Sequence, residues 1–213
     1  MRRGYQLAAL AVLASVAIAP ARLSAQTAEE VSAVSRDVPT WEVDGSHSRV
    51  GFSVRHFFTP VEGQFGDYEI ELSFDPEAPE TGHVRVAIDA SSVDTGNDRR
   101  DNDLRGPSFF EVDAYPRLTF ESTSVERISD TEFVVHGDLT IRDVTRPVDL
   151  AVTLLGMREL EGDVQREGQM IAGFEAEAVV DRRDFDVGSG RWAETVVLAP
   201  DVTIKVLLET RLH

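Results

Sequence analysis

The sequence predicts an all-β protein in which one short helical segment interrupts a series of antiparallel strands. Eight segments alternate apolar and polar side chains with a period of two, which is typical of half-buried strands. No helical stripe separates most of these segments, so parallel strands joined by crossover helices are not expected. An antiparallel sheet of this size must protect its edges, and both a barrel and a two-sheet sandwich remain open.

Each predicted strand is defined by apolar residues that share one face. In chain order the eight strands cover residues 50–58, 68–74, 84–90, 118–124, 133–141, 148–154, 172–180 and 202–208. In the first, Val50, Phe52, Val54, His56 and Phe58 share a face. In the seventh, several positions on one face are alanines. If the alanines face inward they leave room for a small ligand, unless facing aromatic side chains fill the space.

Residues 97–110 interrupt the alternation between the third and fourth predicted strands. This segment is long enough for a short helix and ends in Phe109 and Phe110, so we expect a lid across one end of the sheet. The segment is dense in charges of both signs. It is either a solvated helix with local ion pairs or a polar lid at a cavity mouth, where arginines could meet a phosphate.

The N-terminus has the three-part pattern of a secretory signal peptide. Arg2 and Arg3 precede an apolar run of about 12 residues, which is too short to span a bilayer as an anchor. We predict a signal peptide over 1–25, a flexible leader over 26–39 and the domain over 40–213. Cleavage is expected after Ala25, with Ala21 as the alternative site. The mature protein would then be periplasmic or secreted, without a stable membrane anchor.

Composition excludes several classes of function. The 213 residues carry a formal charge of −17, which opposes binding to nucleic acids or to anionic lipid surfaces. No cysteine is present, so disulfide scaffolds, thiolate metal sites and cysteine nucleophiles are excluded.

The spacing of polar residues does not predict a catalytic centre. The sequence lacks the G-x-S-x-G motif of serine hydrolases and the H-E-x-x-H motif of zinc proteases. It also lacks the phosphate-binding motif G-x-x-x-x-G-K and the glycine fingerprint of dinucleotide-binding domains. Asp44, His47 and Ser48 lie close in sequence, but strand neighbours point to opposite faces, so no triad is expected. His56 and His83 lie on separate strands, and no metal site is predicted from them. His56 shares the apolar face of its strand, so it is a satisfied core histidine or a polar anchor for a ligand.

An ordered set of motifs resembles the YceI-like family over roughly residues 40–210. The set begins with Trp41, Asp44, His47 and Ser48 in the pattern W-x-x-D-x-x-H-S, followed by V-x-F-x-V-x-H at 50–56. It continues with S-V-D-T-G at 92–96, R-D at 100–101, L-R at 104–105 and F-F at 109–110. Later members are Y-P at 115–116, G-D-L-T-I at 137–141, V-T-R-P-V at 144–148 and R-D-F at 183–185.

This resemblance implies an eight-stranded antiparallel lipocalin-like β-barrel with a short helical lid. It also implies a non-catalytic exported protein without a cofactor, whose ligand is a polyisoprenoid, a quinone or another long-chain amphiphilic lipid. A homodimer is left open. The side chains expected at the ligand are Phe52, Val54, His56, Val86, Ile88, Arg100, Arg105, Phe109, Phe110, Phe120, Leu139, Leu150, Val152 and Phe174.

One departure from the family pattern bears on the ligand. Asp103 stands where the resemblance leads us to expect a histidine, and an anion near the mouth should disfavour a diphosphate head group. Two alternatives to a lipid carrier remain. One is an envelope stress-related structural protein with a filled barrel, and the other is a small lipid-modifying enzyme that uses His56 with an acid such as Asp101.

Overall fold

The computed structural model describes residues 37–161, 168–193 and 196–212. The predicted signal peptide lies outside these residues, as does most of the predicted leader. The described residues form eleven strands and one α-helix. The strands are β1 (Thr40–Val43), β2 (Arg49–His56), β3 (Thr59–Phe65), β4 (Tyr68–Ser73), β5 (His83–Asp89), β6 (Val93–Asp94), β7 (Arg117–Arg127), β8 (Glu132–Ile141), β9 (Val144–Glu159), β10 (Met170–Asp181) and β11 (Leu198–Leu212), and the helix is α1 (Asp98–Arg105).

Eight of the strands close into an antiparallel barrel, which confirms the predicted fold. Their order is β1-β4-β5-β7-β8-β9-β10-β11, and β11 pairs back to β1. The remaining strands extend from β11 in the order β2-β3-β6. One edge of β11 therefore carries two partners end to end, because Leu198–Leu207 pair with β2 and Thr210–Arg211 pair with β1.

The strands differ from the predicted set in four places. The sequence analysis missed β1, β3 and β6. β1 and β6 are too short to show a period, while Pro60 and Gly63 hide the alternation of β3. The predicted strand over 50–58 also ends early, at His56. Phe57 has a positive φ of 50° and starts the turn to β3, which leaves Phe58 94% exposed instead of inside.

The predicted lid is present as α1. Asn97 caps the helix, since its side-chain oxygen accepts a hydrogen bond from the Arg100 amide at 3.1 Å. Gly106 ends it. Because α1 follows β6 directly, it lies beside the outer strand of the β2-β3-β6 extension.

Aromatic side chains pack together at one end of the barrel. Phe74 packs edge-on against Phe133 and Phe174 with ring centroids 5.8 and 5.4 Å apart. Trp41 joins this cluster and donates from Nε1 to the Phe74 carbonyl at 2.8 Å. The predicted small face of β10 is thus partly occupied, with Ala172 fully buried in the same cluster. Open space remains nearer the α1 end.

Candidate functional site: an apolar cavity inside the barrel

A cavity of about 370 Å³ lies inside the barrel next to α1. Its wall is almost entirely aliphatic and aromatic and draws on strands from all sides of the barrel. Eleven of the residues expected at the ligand line this cavity: Phe52, Val54, His56, Val86, Ile88, Arg100, Phe109, Phe110, Phe120, Leu139 and Leu150. The side-chain alternation therefore placed the correct faces of β2, β5, β7, β8 and β9 toward the interior.

The charged rim of this cavity comes from α1. Arg99, Arg100 and Asp103 contact the cavity, and Arg99 and Asp103 are also exposed, so the cavity opens to solvent there. Arg100 is fixed at the rim by Thr95, whose hydroxyl and carbonyl accept hydrogen bonds from it at 2.7 and 2.8 Å. Such a rim can orient a polar head group while the apolar wall holds a tail.

Buried Asp101 supports this rim from beneath. One of its carboxylate oxygens accepts hydrogen bonds from both the amide and the hydroxyl of Thr95. Asp101 thereby holds the residue that in turn holds Arg100. The arrangement makes Asp101 a structural acid of the β6–α1 connection.

Arg105 has a different place from the one expected. Among the described residues it is not part of the cavity wall. Its guanidinium donates to the carbonyls of Ser91 and Val93 at 2.7 Å each. Arg105 thus ties the C-terminal end of α1 to the segment leading into β6.

His56 lies on the cavity wall at the end of β2 and is half-buried. Its ring packs edge-on against Phe57, with ring centroids 4.9 Å apart. This position agrees with the alternation of inward and outward side chains along β2. It leaves His56 near the turn that carries the exposed Phe57 and Phe58 side chains.

A second cavity of about 110 Å³ lies toward the aromatic end of the barrel. Val152 and Phe174, which the sequence analysis assigned to the ligand, line this second cavity. The interior of the barrel therefore contains unfilled space on both sides of its middle. Ser122 and His83 also lie at this end, where the Ser122 hydroxyl is 3.0 Å from His83 Nδ1 and His83 contacts the second cavity.

The sequence analysis missed the segment that closes the wall between β10 and β11. Val187, Trp192 and Leu198 contact the large cavity, and Trp192 packs against Phe109 with ring centroids 5.7 Å apart. Arg182 holds this segment although it is only 4% exposed. It donates to the carbonyls of Val187, Gly188, Trp192, Leu198 and Ala199 at 2.7–3.1 Å. Burial lowers the pKa of Arg182 below its usual value.

A separate polar group lies where the β1–β2 turn meets β11. His47 Nδ1 is 3.0 Å from an Asp44 oxygen and 3.7 Å from Glu209, and Arg211 also pairs with Asp44. The hydrogen bond to Asp44 raises the pKa of His47, and the same bond lowers the pKa of Asp44. Asp44, His47 and Glu209 lie close enough together to hold a metal ion. However, Arg211 already balances the charge of Asp44, and Ser48 bonds to the Glu209 backbone.

Among the residues that the structure describes, no helix combines the length and the apolar character that crossing a membrane requires.

Comparison with known proteins places the chain in a family. The YceI-like domain matches residues 41–210. Protein YceI of Shigella flexneri is 38% identical over 157 residues, which cover 73% of this chain and 78% of that protein.

Two solved structures share the fold. BcnA of Burkholderia cenocepacia superimposes with a TM-score of 0.70 at 27% identity, covering 79% of this chain and 99% of that one. A polyisoprenoid-binding domain from Saccharophagus degradans, implicated in plant cell wall breakdown, superimposes with a TM-score of 0.58 at 15% identity. This superposition covers 83% of this chain and 100% of that domain. On the domain match and the identity to YceI, the chain belongs to the YceI-like family.

Proposed function

We propose that this protein is a non-catalytic carrier or buffer that holds a polyisoprenoid, or a similar long-chain amphiphilic lipid, inside the barrel. The observation that carries the proposal is the apolar cavity of about 370 Å³ with a charged rim at one side. Such a site separates an insoluble tail from water. Burial of about ten methylene equivalents contributes roughly 8 kcal/mol before ordering costs, which corresponds to about micromolar affinity.

The comparisons support this choice of ligand class. The neighbour from Saccharophagus degradans is described as polyisoprenoid-binding, although its low identity conveys only the fold. The cavity wall adds an independent reason, because its aliphatic and aromatic side chains match a branched hydrocarbon tail.

We infer that the head group carries little charge. Asp103 faces the same opening as Arg99 and Arg100, where it offsets one of the two positive charges and repels the phosphates of a diphosphate. A polyprenol, a quinone or a fatty acid amide would tolerate this anion better. The purified protein should therefore bind farnesol more tightly than farnesyl diphosphate. Tighter binding of the diphosphate would contradict this head-group preference.

Hydrogen bonding at the rim supports binding over catalysis. The enzyme alternative pairs His56 with an acid such as Asp101, but the Asp101 carboxylate is engaged by Thr95 beneath the rim. His56 can instead serve as a polar group in the cavity wall. A His56→Gln variant should retain less lipid than the wild type, and the lipid extracted from either protein should be chemically unmodified.

Export is the second part of the proposal. Residues 1–25 carry the signal-peptide pattern, and the mature chain would act in the periplasm or outside the cell. Expression of the full chain in a bacterium, followed by N-terminal sequencing of the periplasmic protein, should give Gln26 as the first residue. A cytoplasmic product that retains Met1 would refute it.

The decisive experiment is native mass spectrometry of the mature protein, followed by solvent extraction and identification of the lipid. We expect a stoichiometric long-chain lipid. Val54→Trp, which fills the cavity wall, should abolish retention, whereas Val179→Trp on the exposed face of β10 should retain the lipid. A ligand-free mass, with no uptake of added polyprenols or quinones, would overturn the proposal in favour of a filled structural barrel.

A further inference from the structure

The interior of the barrel holds two cavities, one on each side of its middle. Four residues line both the large cavity beside α1 and the small cavity toward the aromatic end: Val86, Phe120, Leu150 and Val206. These residues come from β5, β7, β9 and β11, so they form a ring of side chains across the middle of the barrel. A ligand that enters beside α1 must pass this ring to reach the second cavity.

Phe120 is the bulkiest member of the ring and is held firmly. It is 6% exposed and is paired across the sheet with Val86 on β5 and Leu139 on β8. Gly137 provides the space for its ring, because a Cβ at that position would lie 2.3 Å from Phe120 Cζ. The absent side chain on β8 therefore leaves the space that the aromatic ring on β7 occupies.

The two volumes translate into tail lengths. An apolar protein cavity of about 150 Å³ accommodates the six carbons of benzene. By that measure the large cavity of about 370 Å³ holds roughly 15 carbons, or about three isoprene units. The small cavity of about 110 Å³ adds room for roughly four or five carbons, or about one unit.

We propose that Phe120 sets the length of tail that this protein buries, stopping it at about three isoprene units and closing the small cavity to the ligand. This inference rests on the proposed lipid-binding function. A longer tail still binds, but its additional units remain outside the apolar wall at the α1 opening. Affinity therefore rises with tail length up to about 15 carbons and then reaches a plateau.

The test is a competition between tails of different length that share one head group. Delipidated mature protein is mixed with geraniol, farnesol and geranylgeraniol at equal concentrations, each in excess over the protein. Native mass spectrometry then measures the ratio of the bound species. Wild-type protein should favour farnesol over geraniol by about tenfold or more. It should bind farnesol and geranylgeraniol within about twofold of each other.

Variants at the ring separate the length limit from simple cavity size. Phe120→Ala should join the two cavities and raise the ratio of geranylgeraniol to farnesol by about tenfold. Phe120→Leu, a smaller change to the core, should move the ratio in the same direction and serves if the alanine variant does not fold. The matched control is Phe133→Ala, which enlarges the small cavity but leaves the ring intact, so its ratio should equal that of wild type.

The outcomes distinguish this inference from the proposed function. If wild-type protein binds no polyprenol of any length, the lipid-binding proposal is wrong and the length limit falls with it. If polyprenols bind but affinity keeps rising from farnesol to geranylgeraniol in the wild type, lipid binding stands and the length limit is wrong. An unchanged ratio in both Phe120 variants, or a changed ratio in Phe133→Ala, likewise overturns the role of Phe120.

Discussion

Two glycines of this protein are explained by the aromatic ring that each one faces. Gly137 on β8 lies under the ring of Phe120, and Gly63 on β3 lies under that of Phe52, where a Cβ would come within 2.4 Å of Cζ. Phe52 and Gly63 are direct partners in the β2–β3 ladder. Both rings contact the large cavity. At these positions the smallest side chain decides where a wall residue of the cavity can lie.

Substitution of Gly137 should therefore destabilise the protein. In Gly137→Ala the new methyl group meets both the Phe120 ring and the Glu121 carbonyl, so strands or ring must shift. We expect a loss of about 1–3 kcal/mol in the free energy of unfolding, measured by urea titration. Gly156→Ala is the control, since Gly156 lies in β9 and a methyl group there would meet no atom within 4 Å. Equal stability of the two variants would contradict the assignment.

The pKa of His47 is a second property set by single residues. Its hydrogen bond to Asp44 raises the pKa of His47 above the usual value of about 6.5. The stabilising contribution of this bond is complete below that usual value and is lost as the pH rises through the raised pKa. NMR titration should show the pKa of His47 falling in Asp44→Asn.

His136 offers a matched comparison for that titration. It pairs with Asp149 at 2.7 Å, which raises the pKa of His136 in the same way. Asp149→Asn should lower the pKa of His136 and leave His47 unchanged, while Asp44→Asn should do the reverse. If the pKa of His47 is the same in the wild type and in Asp44→Asn, the pairing is wrong.

At the scale of elements, the connection between β10 and β11 depends on one buried cation. Arg182 satisfies five backbone carbonyls within this connection and at the start of β11. Gly188, at a φ of 83°, makes room for it, since a Cβ there would lie 2.3 Å from the guanidinium. The segment that contributes Val187 and Trp192 to the cavity wall is therefore organised around Arg182.

Replacing this guanidinium should loosen the segment even when the charge is kept. Arg182→Lys retains the cation but cannot reach five carbonyls, so it should cost about 2–4 kcal/mol in the free energy of unfolding. Arg183→Lys alters a neighbour that is half-exposed and bonded to Asp181, and it should cost less than about 1 kcal/mol. Thermal or urea unfolding measures both. A similar cost for the two variants would argue against the special role of Arg182.

The elements that the sequence analysis predicted are those with a sustained period of two. The alternation of β5, β7, β8 and β9 identified the inward faces correctly, which is why residues such as Ile88, Phe120 and Leu139 were correctly placed inside the barrel. β1 and β6 have too few residues to show a period. Arg105 was misplaced because a charged residue on a short helix can turn either to the cavity or to backbone carbonyls, and composition does not distinguish these.

Contacts between residues that are distant in the sequence also limited the prediction of the site. Nothing in the local pattern indicates that Arg182 is buried, because its partners lie up to 17 residues away and are all backbone atoms. The division of the interior is also invisible in the sequence. It involves Phe120, Val86, Leu150 and Val206, which come from four different strands and line both cavities.

For the whole molecule, a lipid in the barrel should appear as added stability. A ligand that binds the folded state alone stabilises it by about 2.7 kcal/mol at a concentration one hundred times its Kd. For a domain of this size that corresponds to roughly 5–10 °C in Tm. Delipidation should therefore lower the Tm measured by calorimetry, and added farnesol should restore it. Equal Tm values with and without bound lipid would contradict specific binding to the cavity.

The position of β11 in the sheet has a consequence for how the chain folds. This strand joins β10 to both β1 and β2, so it connects early and late parts of the sequence. The barrel cannot close until residues 198–212 have emerged from the ribosome or the translocation channel. Such distant pairings make closure slow. During that interval the chain exposes its interior, and the proposed export would place both closure of the barrel and uptake of a ligand after the crossing of the membrane.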